Sequence, residues 1–475
     1  LSMSDFFYAL LLMLVVIGIF NVIIFVHELG HFLAARWRGL QVDRFQIWFG
    51  KPIWKKEING VQYGLGWLPF GGFVALPQMV TMESVEGSNR GKDELPPVSP
   101  LDKIIVAFAG PLFSLSLAVL GSLLVWQVGK PQDAITSTVI GGVVADGPAD
   151  KAGLFPGDKI LEVNGEPVDW FRGSIFKGVQ EQVMLTEGEV VKFKIERNGE
   201  VQFVESKFDI EETAFFRRRA LPRVGIGAAG PAIIGEILEG ENESPAKRAG
   251  LKKGDQVIQV NGVEVVGTLH VSQLLADNEW KQSVFQVKRG DQIIECSVTP
   301  LKPEGEMFED QDPKVGILWD WQANIETAMV HPTPYFQILD SLKTMWVTIS
   351  KVTSPSSHVG VDQLAGPVGI ARTKYLLLKT EDGWLRVMWF FVLFNVNLAV
   401  LNMLPLPVLD GGHIVMAIIE WVRGRPVNQR VLEVVQTGFA LLLIGFMLFI
   451  TTKDLGDTIP SGGKGGKVVW PEVAP

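Results

Sequence analysis

The stretch Val26-His27-Glu28-Leu29-Gly30-His31-Phe32 sets three ionisable side chains inside an apolar segment. From Leu10 to Val26 the only polar side chain is Asn21, and after His31 the apolar run resumes through Phe32, Leu33, Ala34 and Ala35. Ionisable groups at membrane depth are expensive and mark function. In a helix the i,i+4 spacing puts both imidazoles on one face, where they can share a Zn²⁺, and leaves Glu28 beside them to take a proton from water. A five-residue pattern arises often by chance, so its weight comes from this context: a helix with no other reason to hold such groups.

The whole chain has 475 residues, 47% hydrophobic and 20% charged, with a mean hydropathy of +0.24. The average hides two populations. Four apolar segments are long enough to span a bilayer, about Phe6–Ala35, Ile104–Val128, Trp384–Leu404 and Val431–Ile450, whereas the middle reads as soluble. A net charge of −9 without a dense Lys/Arg stripe argues against nucleic acid as a partner. The single cysteine, Cys296, lies in a strand-like run and reads as a buried, inert thiol. The first span lacks a basic n-region and an Ala-x-Ala exit, so it reads as a retained anchor rather than a signal peptide.

Nine Lys/Arg residues lie between the first and second spans, and Arg423, Arg425 and Arg430 between the third and fourth. The positive-inside rule places both loops in the cytoplasm, with the termini and residues 129–383 on the opposite face. His27 and His31 then sit nearer the inner face. Asn21 reads as a helix–helix contact and nothing more.

Residues 40–80 contain short strand-like runs, Ile58–Leu65 and Gly71–Leu76, around several glycines, and predict a hairpin or small sheet at the interface. Such a sheet is either a surface meander or an edge that pairs with substrate, because a membrane helix hides its carbonyls until it is unwound. Thr81–Pro100 is polar and proline-bearing and reads as a loop or lid. Gly110-Pro111 and Ser114 in the second span permit close approach to the first helix. Pro334–Val352 has the pattern of an amphipathic helix lying on the membrane or on the soluble region.

The soluble middle holds an internal repeat: Pro148 through Asn164-Gly165 recurs, 97 residues on, as Pro245 through Asn261-Gly262. The two copies close on Arg223-Val224-Gly225-Ile226 and Lys314-Val315-Gly316-Ile317. Asn-Gly is a strong tight-turn signal because both residues accept positive φ. The pattern resembles the PDZ domain in its circularly permuted bacterial form, which implies a peptide groove beside an exposed strand; a rigid spacer is the plainer alternative.

The third span ends in Asn395, Asn397 and Asn402, then Pro405-Leu406-Pro407-Val408-Leu409-Asp410-Gly411-Gly412-His413. Each proline removes a backbone donor, so the helix should break before Asp410. A catalytic zinc site takes three protein ligands and keeps one position open. His270, His331 and His358 fall on the far side of the membrane, so Asp410 and His413 compete for the third place. Asp410, where the broken helix can reach inward, is the expected ligand, and His413 a neighbour.

These motifs, in this order, resemble the site-2 protease family of intramembrane zinc metalloproteases, in particular its bacterial members with two PDZ domains. The resemblance covers nearly the whole chain. It implies Zn²⁺ held by His27, His31 and Asp410, with Glu28 activating water and Asn402 holding and polarising substrate backbone, aided by Asn397. It also implies a membrane-associated β element, Gly71-Gly72-Phe73-Val74, that pairs with unwound substrate. The implied substrates are single-span membrane proteins trimmed beforehand in the periplasm, such as an anti-sigma factor in envelope stress, or remnant signal peptides. A monomer in the bacterial inner membrane is expected. A PDZ-based scaffold would need no metal, and a transporter fits poorly with four spans and two soluble modules.

The expected organisation is a four-helix polytopic membrane protein with a β-hairpin element and two permuted PDZ-like β domains. Residues 1–130 form an N-terminal membrane half, with the motif helix at 6–35, the β element at 40–80 and the second span at 104–128. Residues 131–228 and 229–320 form the PDZ-like units, 321–383 amphipathic and linker helices, 384–452 the last two spans, and 453–475 a flexible tail.

Overall fold

The computed structural model describes residues 3–79, 96, 98–240, 242–303, 313–425, 429–459 and 468–471. Most of the loop expected over Thr81–Pro100 lies outside them. The chain forms two compact units: residues 1–131, 329–348 and 365–454 make the first, and residues 132–328, 349–364 and 455–475 the second.

The first unit holds seven helices among the described residues: α1 (Met3–Trp37), α2 (Pro100–Val128), α3 (Pro334–Thr353), α4 (Pro367–Leu378), α5 (Gly383–Asn402), α6 (Asp410–Arg423) and α7 (Gln429–Gly456). Four segments, Phe7–Trp37, Pro100–Val128, Gly383–Asn402 and Val434–Gly456, are long and apolar enough to cross a membrane. α2 is the centre of the unit and touches α1, α5 and α6. Small residues make that possible. A Cβ on Gly30 of α1 would lie 2.5 Å from the Ala109 carbonyl oxygen, and Gly121 lets Phe391 and Val392 of α5 pack on α2.

α2 begins cleanly, with Ser99 as N-cap accepting from the Asp102 amide and Pro100 in the first turn. Ion pairs between Arg38 and Asp102 (2.5 Å) and between Lys103 and Glu420 (2.7 Å) tie this end to α1 and α6. α3 carries the amphipathic pattern expected of it, and its apolar side is the exposed one: Tyr335, Phe336 and Trp346 lie open while Gln337 and Ser341 are buried. Gln337 donates to the Ser122 carbonyl of α2 (2.9 Å), so the polar side binds protein. A helix that hides polar groups and shows aromatic ones suits a lipid surface.

Between α1 and α2 the chain forms β1 (Arg44–Ile58) and β2 (Val61–Ala75), longer strands than the short runs suggested. Asn59-Gly60, with φ of 53° and 79°, makes the tight turn. Arg44–Ile47 pairs with Gly72–Ala75 on one side and Gln62–Leu65 on the other, whereas Trp54–Ile58 pairs with Val61–Leu65. The sheet therefore has four segments, with Gly72–Ala75 at one edge. Phe45, Val61, Val74 and Leu76 bury their side chains together with Ala35 and Val106.

In the second unit the two sequence repeats adopt the same local structure. Short helices Pro148–Lys151 and Pro245–Arg248 lead to strands Lys159–Val163 and Gln256–Val260, which turn at Asn164-Gly165 and Asn261-Gly262. Each strand pairs with a long hairpin, Val191–Ser206 or Ser283–Val298. The polar networks repeat as well. Arg197 grips Asp158 and the Gly153 carbonyl at 2.6–2.7 Å, and Arg289 grips Asp255 and the Gly250 carbonyl at 2.7–2.8 Å. Each repeat has its own apolar core, around Leu154 and Phe193 in one and Leu251 and Phe285 in the other. Cys296 is buried in the second of these, as an inert thiol would be.

Within the segment expected to be a flexible tail, Gly456 ends α7 and Val468–Pro471 docks on the second repeat. Trp470 is fully buried, its carbonyl accepting from Asn242 (2.7 Å) while Arg248 donates to the Pro471 carbonyl (2.9 Å).

Candidate metal centre

His27 and His31 lie on one face of α1, both buried. Asp410 reaches them from the first turn of α6 across a break in helical structure, residues 403–409, that follows Asn402. The break folds back so tightly that a Cβ on Gly411 would lie 2.3 Å from the Met403 carbonyl oxygen, and one on Gly412 2.1 Å from that of Leu406. Two glycines are what allow Asp410 to enter the membrane unit at this depth.

These three side chains form the one cluster of metal-ligand type among the described residues. His27 Nε2 and Asp410 Oδ2 are 3.3 Å apart, His31 Nε2 and Asp410 Oδ1 3.4 Å, and the two Nε2 atoms 3.3 Å. A tetrahedral Zn²⁺ with bonds of about 2.0–2.1 Å has ligand–ligand edges of about 3.3–3.4 Å. The triangle therefore fits that ion without rearrangement.

The opposite ring nitrogens are both held by α2. His31 Nδ1 donates to the Val106 carbonyl of α2 (2.8 Å), which leaves the Nε2 lone pair facing the triangle. His27 Nδ1 meets Ser114 Oγ at 3.0 Å. With Ser114 Oγ as the acceptor, His27 Nε2 also turns its lone pair inward, and the 3.3 Å between the two Nε2 atoms is ligand spacing. Neither Ser114 nor the Val106 carbonyl stood out in the sequence as a support for a ligand. Gly110 matters as well: a Cβ there would lie 2.2 Å from His31 Nε2, so the glycine read as a packing residue leaves room for a ligand ring.

Glu28, Asn402 and His413 line the same cavity, of about 1130 Å³, as His27, His31 and Asp410. Asn402 Nδ2 stands 3.3 Å from His27 Nε2. His413 is buried beside Asp410, one turn along α6, but is not part of the cluster. Gly71, Gly72 and Phe73 also line the cavity, and a Cβ on Gly72 would lie 3.2 Å from Glu28 Cγ. Val74 turns into the core instead. Asn397 is not among the lining residues, and its side-chain oxygen is buried without a hydrogen-bond partner among the described residues. The other histidines serve local structure: His331 meets the Trp126 carbonyl (2.9 Å), His358 that of Gly188 (2.8 Å), and His270 accepts from the Val266 amide (3.2 Å).

The model of peptidase family M50 matches residues 14–445. The chain is 28% identical over 471 residues to the regulator of sigma-E protease RseP of Escherichia coli, covering 94% of this chain and 99% of that protein. It is 29% identical over 463 residues to protease RseP of Yersinia pestis, with the same coverage. A Pasteurella multocida protein provisionally named a zinc metalloprotease is 28% identical over 443 residues, 91% of this chain and 96% of its own. With its four membrane-length helices and a match over most of its length, the chain belongs to peptidase family M50, as a zinc-dependent membrane metalloendopeptidase of the site-2 type.

Proposed function

We propose that the protein cleaves single-span membrane proteins within the bacterial inner membrane, with His27, His31 and Asp410 as its zinc ligands. The observation that carries this reading is the 3.3–3.4 Å triangle of ligand atoms set beside Glu28 in a cavity walled by membrane helices and a strand edge. Zinc, when bound, acidifies a water and polarises the scissile carbonyl.

Glu28 takes the proton as general base and returns it to the leaving amine. Asn402 donates its amide N–H toward the oxygen that gains charge. An unwound substrate segment lies along Gly71-Gly72-Phe73, where backbone pairing replaces the hydrogen bonds it lost on leaving its helix. Val74 shares the strand but offers backbone only, and Asn397 lies outside the cavity lining.

The names of the relatives support a place in sigma-E signalling; the substrate in this reading is an anti-sigma factor remnant already trimmed on the periplasmic side. The basic loops support a cytoplasmic-side active site with both termini and the second unit in the periplasm. In this reading the two repeats are permuted PDZ-like units that filter substrates by size. A cavity of about 320 Å³ between helix Thr268–Asp277 and strand Ile317–Trp319, beside Lys314-Val315-Gly316, supports a peptide groove in the second.

The test is cleavage of a reconstituted single-span peptide, with cut bonds mapped by mass and metal content measured in parallel. Glu28→Gln is expected to keep zinc and lose cleavage, whereas Asp410→Ala is expected to lose zinc to a chelator that leaves the wild type loaded. Near-native cleavage by Glu28→Gln would remove the general base from this account. Preferred cutting of isolated signal peptides over anti-sigma remnants would reassign the substrate.

A further inference from the structure

The sheet beside the metal centre contains a strained corner. β1 leaves its inner position at Trp48 and Gly50, both at positive φ (68° and 89°), touches β2 irregularly at Phe49 and Pro52, and pairs in regular register again as Trp54–Ile58. Positive φ is routine for glycine but rare for a residue as bulky as tryptophan, and such a conformation persists only where the surroundings hold it.

What holds Trp48 is a chain of polar groups that starts inside the first span. Asn21 Nδ2 donates to the Ile17 carbonyl of its own helix (2.8 Å), which turns Oδ1 outward, and Trp48 Nε1 donates to that oxygen. From the other side the buried Gln46 Nε2 donates to the carbonyls of Trp48 and Gly50, both at 2.9 Å. Asn21 thus does more than touch another helix. It anchors the corner of the sheet.

The corner in turn shapes the cavity. Phe49, next to Trp48, stacks on Phe73 with ring centroids 6.4 Å apart and planes within 8°. Phe49 also lies so close over Gly71 that a Cβ there would come within 1.9 Å of its ring. Asn21 and Glu28 are seven residues apart on α1, two turns on the same face and about 10 Å along the axis. Ile24, between them, is 3.0 Å from the position of a Cβ on Gly72. One stripe of α1 thus carries the anchor at one end and Glu28 at the other, with the strand edge along it.

We propose that Asn21 is a positioning residue: through Trp48 it pins the sheet corner to α1 and so sets which substrate bond, lying along Gly71–Phe73, meets Glu28 and the metal ligands. This inference rests on the proposed pairing of substrate with that strand. A slip of one residue along a strand moves the substrate by about 3.3 Å and turns its faces over, whereas a misplacement of about 1 Å already suffices to slow an enzyme strongly. The latch therefore governs cut position as well as rate.

The experiment uses the full chain in detergent micelles with a synthetic single-span peptide, comparing wild type, Asn21→Leu, Trp48→Phe, the double variant and Glu28→Gln. Asn21→Leu removes the acceptor with an apolar residue of similar size; Trp48→Phe keeps a ring and removes the donor. Each single variant is expected to lower kcat/KM about five- to tenfold, as loss of one hydrogen bond would. Each should also spread cleavage over neighbouring bonds while zinc content stays at the wild-type level. The double variant should be no worse than the weaker single one, because both remove the same bond.

Native rates with a single native cut site in both single variants would overturn the latch, as would losses that multiply in the double variant or zinc content that falls with activity. The Glu28→Gln arm separates this failure from that of the proposed mechanism. If Glu28→Gln is inactive while Asn21→Leu cuts natively, only the latch falls. If Glu28→Gln still cuts, the mechanism itself is wrong.

Discussion

Replacing Gly110 by alanine should empty the metal centre without touching a ligand. A Cβ built at Gly110 lies 2.2 Å from His31 Nε2, 2.5 Å from Cε1 and 2.8 Å from Cδ2, so it meets the ring across its coordinating edge. Even the shortest tolerable contact, near 3.0 Å, requires the ring or the helix to move by about 0.8 Å, while metal–ligand distances tolerate about 0.2 Å. The ring cannot swing freely because Nδ1 is held by the Val106 carbonyl at 2.8 Å. Nor can α2 back away cheaply, since the bond between Ser114 and His27 (3.0 Å) would stretch with it. Loss of one of the three proposed ligands should lower zinc affinity at least about 100-fold, beyond the 10- to 100-fold typical of disturbing an outer partner. The assay is competition with a chromophoric chelator on the purified full chain, with thermal melting to verify folding. Gly18→Ala, on α1 where nothing lies within 4 Å, is the matched control and should bind zinc normally. Wild-type affinity in a folded Gly110→Ala protein would refute the reasoning.

Three further outcomes follow from the same geometry. Ser114→Ala removes the partner of His27 Nδ1 and should weaken zinc about 10- to 100-fold in that competition while the fold is kept. Lys374 is fully buried on α4 with no hydrogen-bond partner for its ammonium among the described residues, and the ammonium lies 3.7–5.5 Å from the ring centroids of Phe20, Phe390 and Phe394; Lys374→Met should raise Tm, by about 1–3 kcal/mol of stability, and a lowered Tm would mean that attraction to the rings outweighs desolvation. Burial alone would push the Asp255 carboxyl up, but the bonds from Arg289 and the Lys252 amide hold it below the ordinary range. A depressed carboxyl stabilises above its unfolded value, near 4, and loses that contribution as pH falls through the folded value. Melting of the second unit should therefore weaken below about pH 4, and Arg289→Met should cost about 3–5 kcal/mol and abolish that dependence.

The parts of this protein that could be read in its sequence are those in which chemistry restricts the choice of residue. A zinc ligand must be His, Cys, Asp or Glu, so the proposed ligands His27 and His31 stand out against an apolar helix, and Asp410 against a helix broken by two prolines. The 97-residue repeat was legible because turns at positive φ accept few residues besides Asn and Gly, and Asn59-Gly60 carries the same signal for the hairpin of β1 and β2, where it went unread. The supports were hidden for the converse reason. His31 is steered by a backbone carbonyl 75 positions away, which any residue could supply, and His27 by a serine 87 positions away that reads as helix packing. Gly110 looks like any small residue in a span until its missing Cβ is set against the His31 ring. Trp48 carries no mark of its positive φ; that conformation is held by Gln46, whose amide bonds the Trp48 and Gly50 carbonyls, and by Asn21, 27 positions back. The docked Trp470 was missed because a glycine-rich approach to it dominates the local composition. Ligands are thus specified by what they are and their supports by where they reach, so substitutions at Gly110, Ser114 or Asn21 should impair the site while His27, Glu28, His31 and Asp410 stay intact.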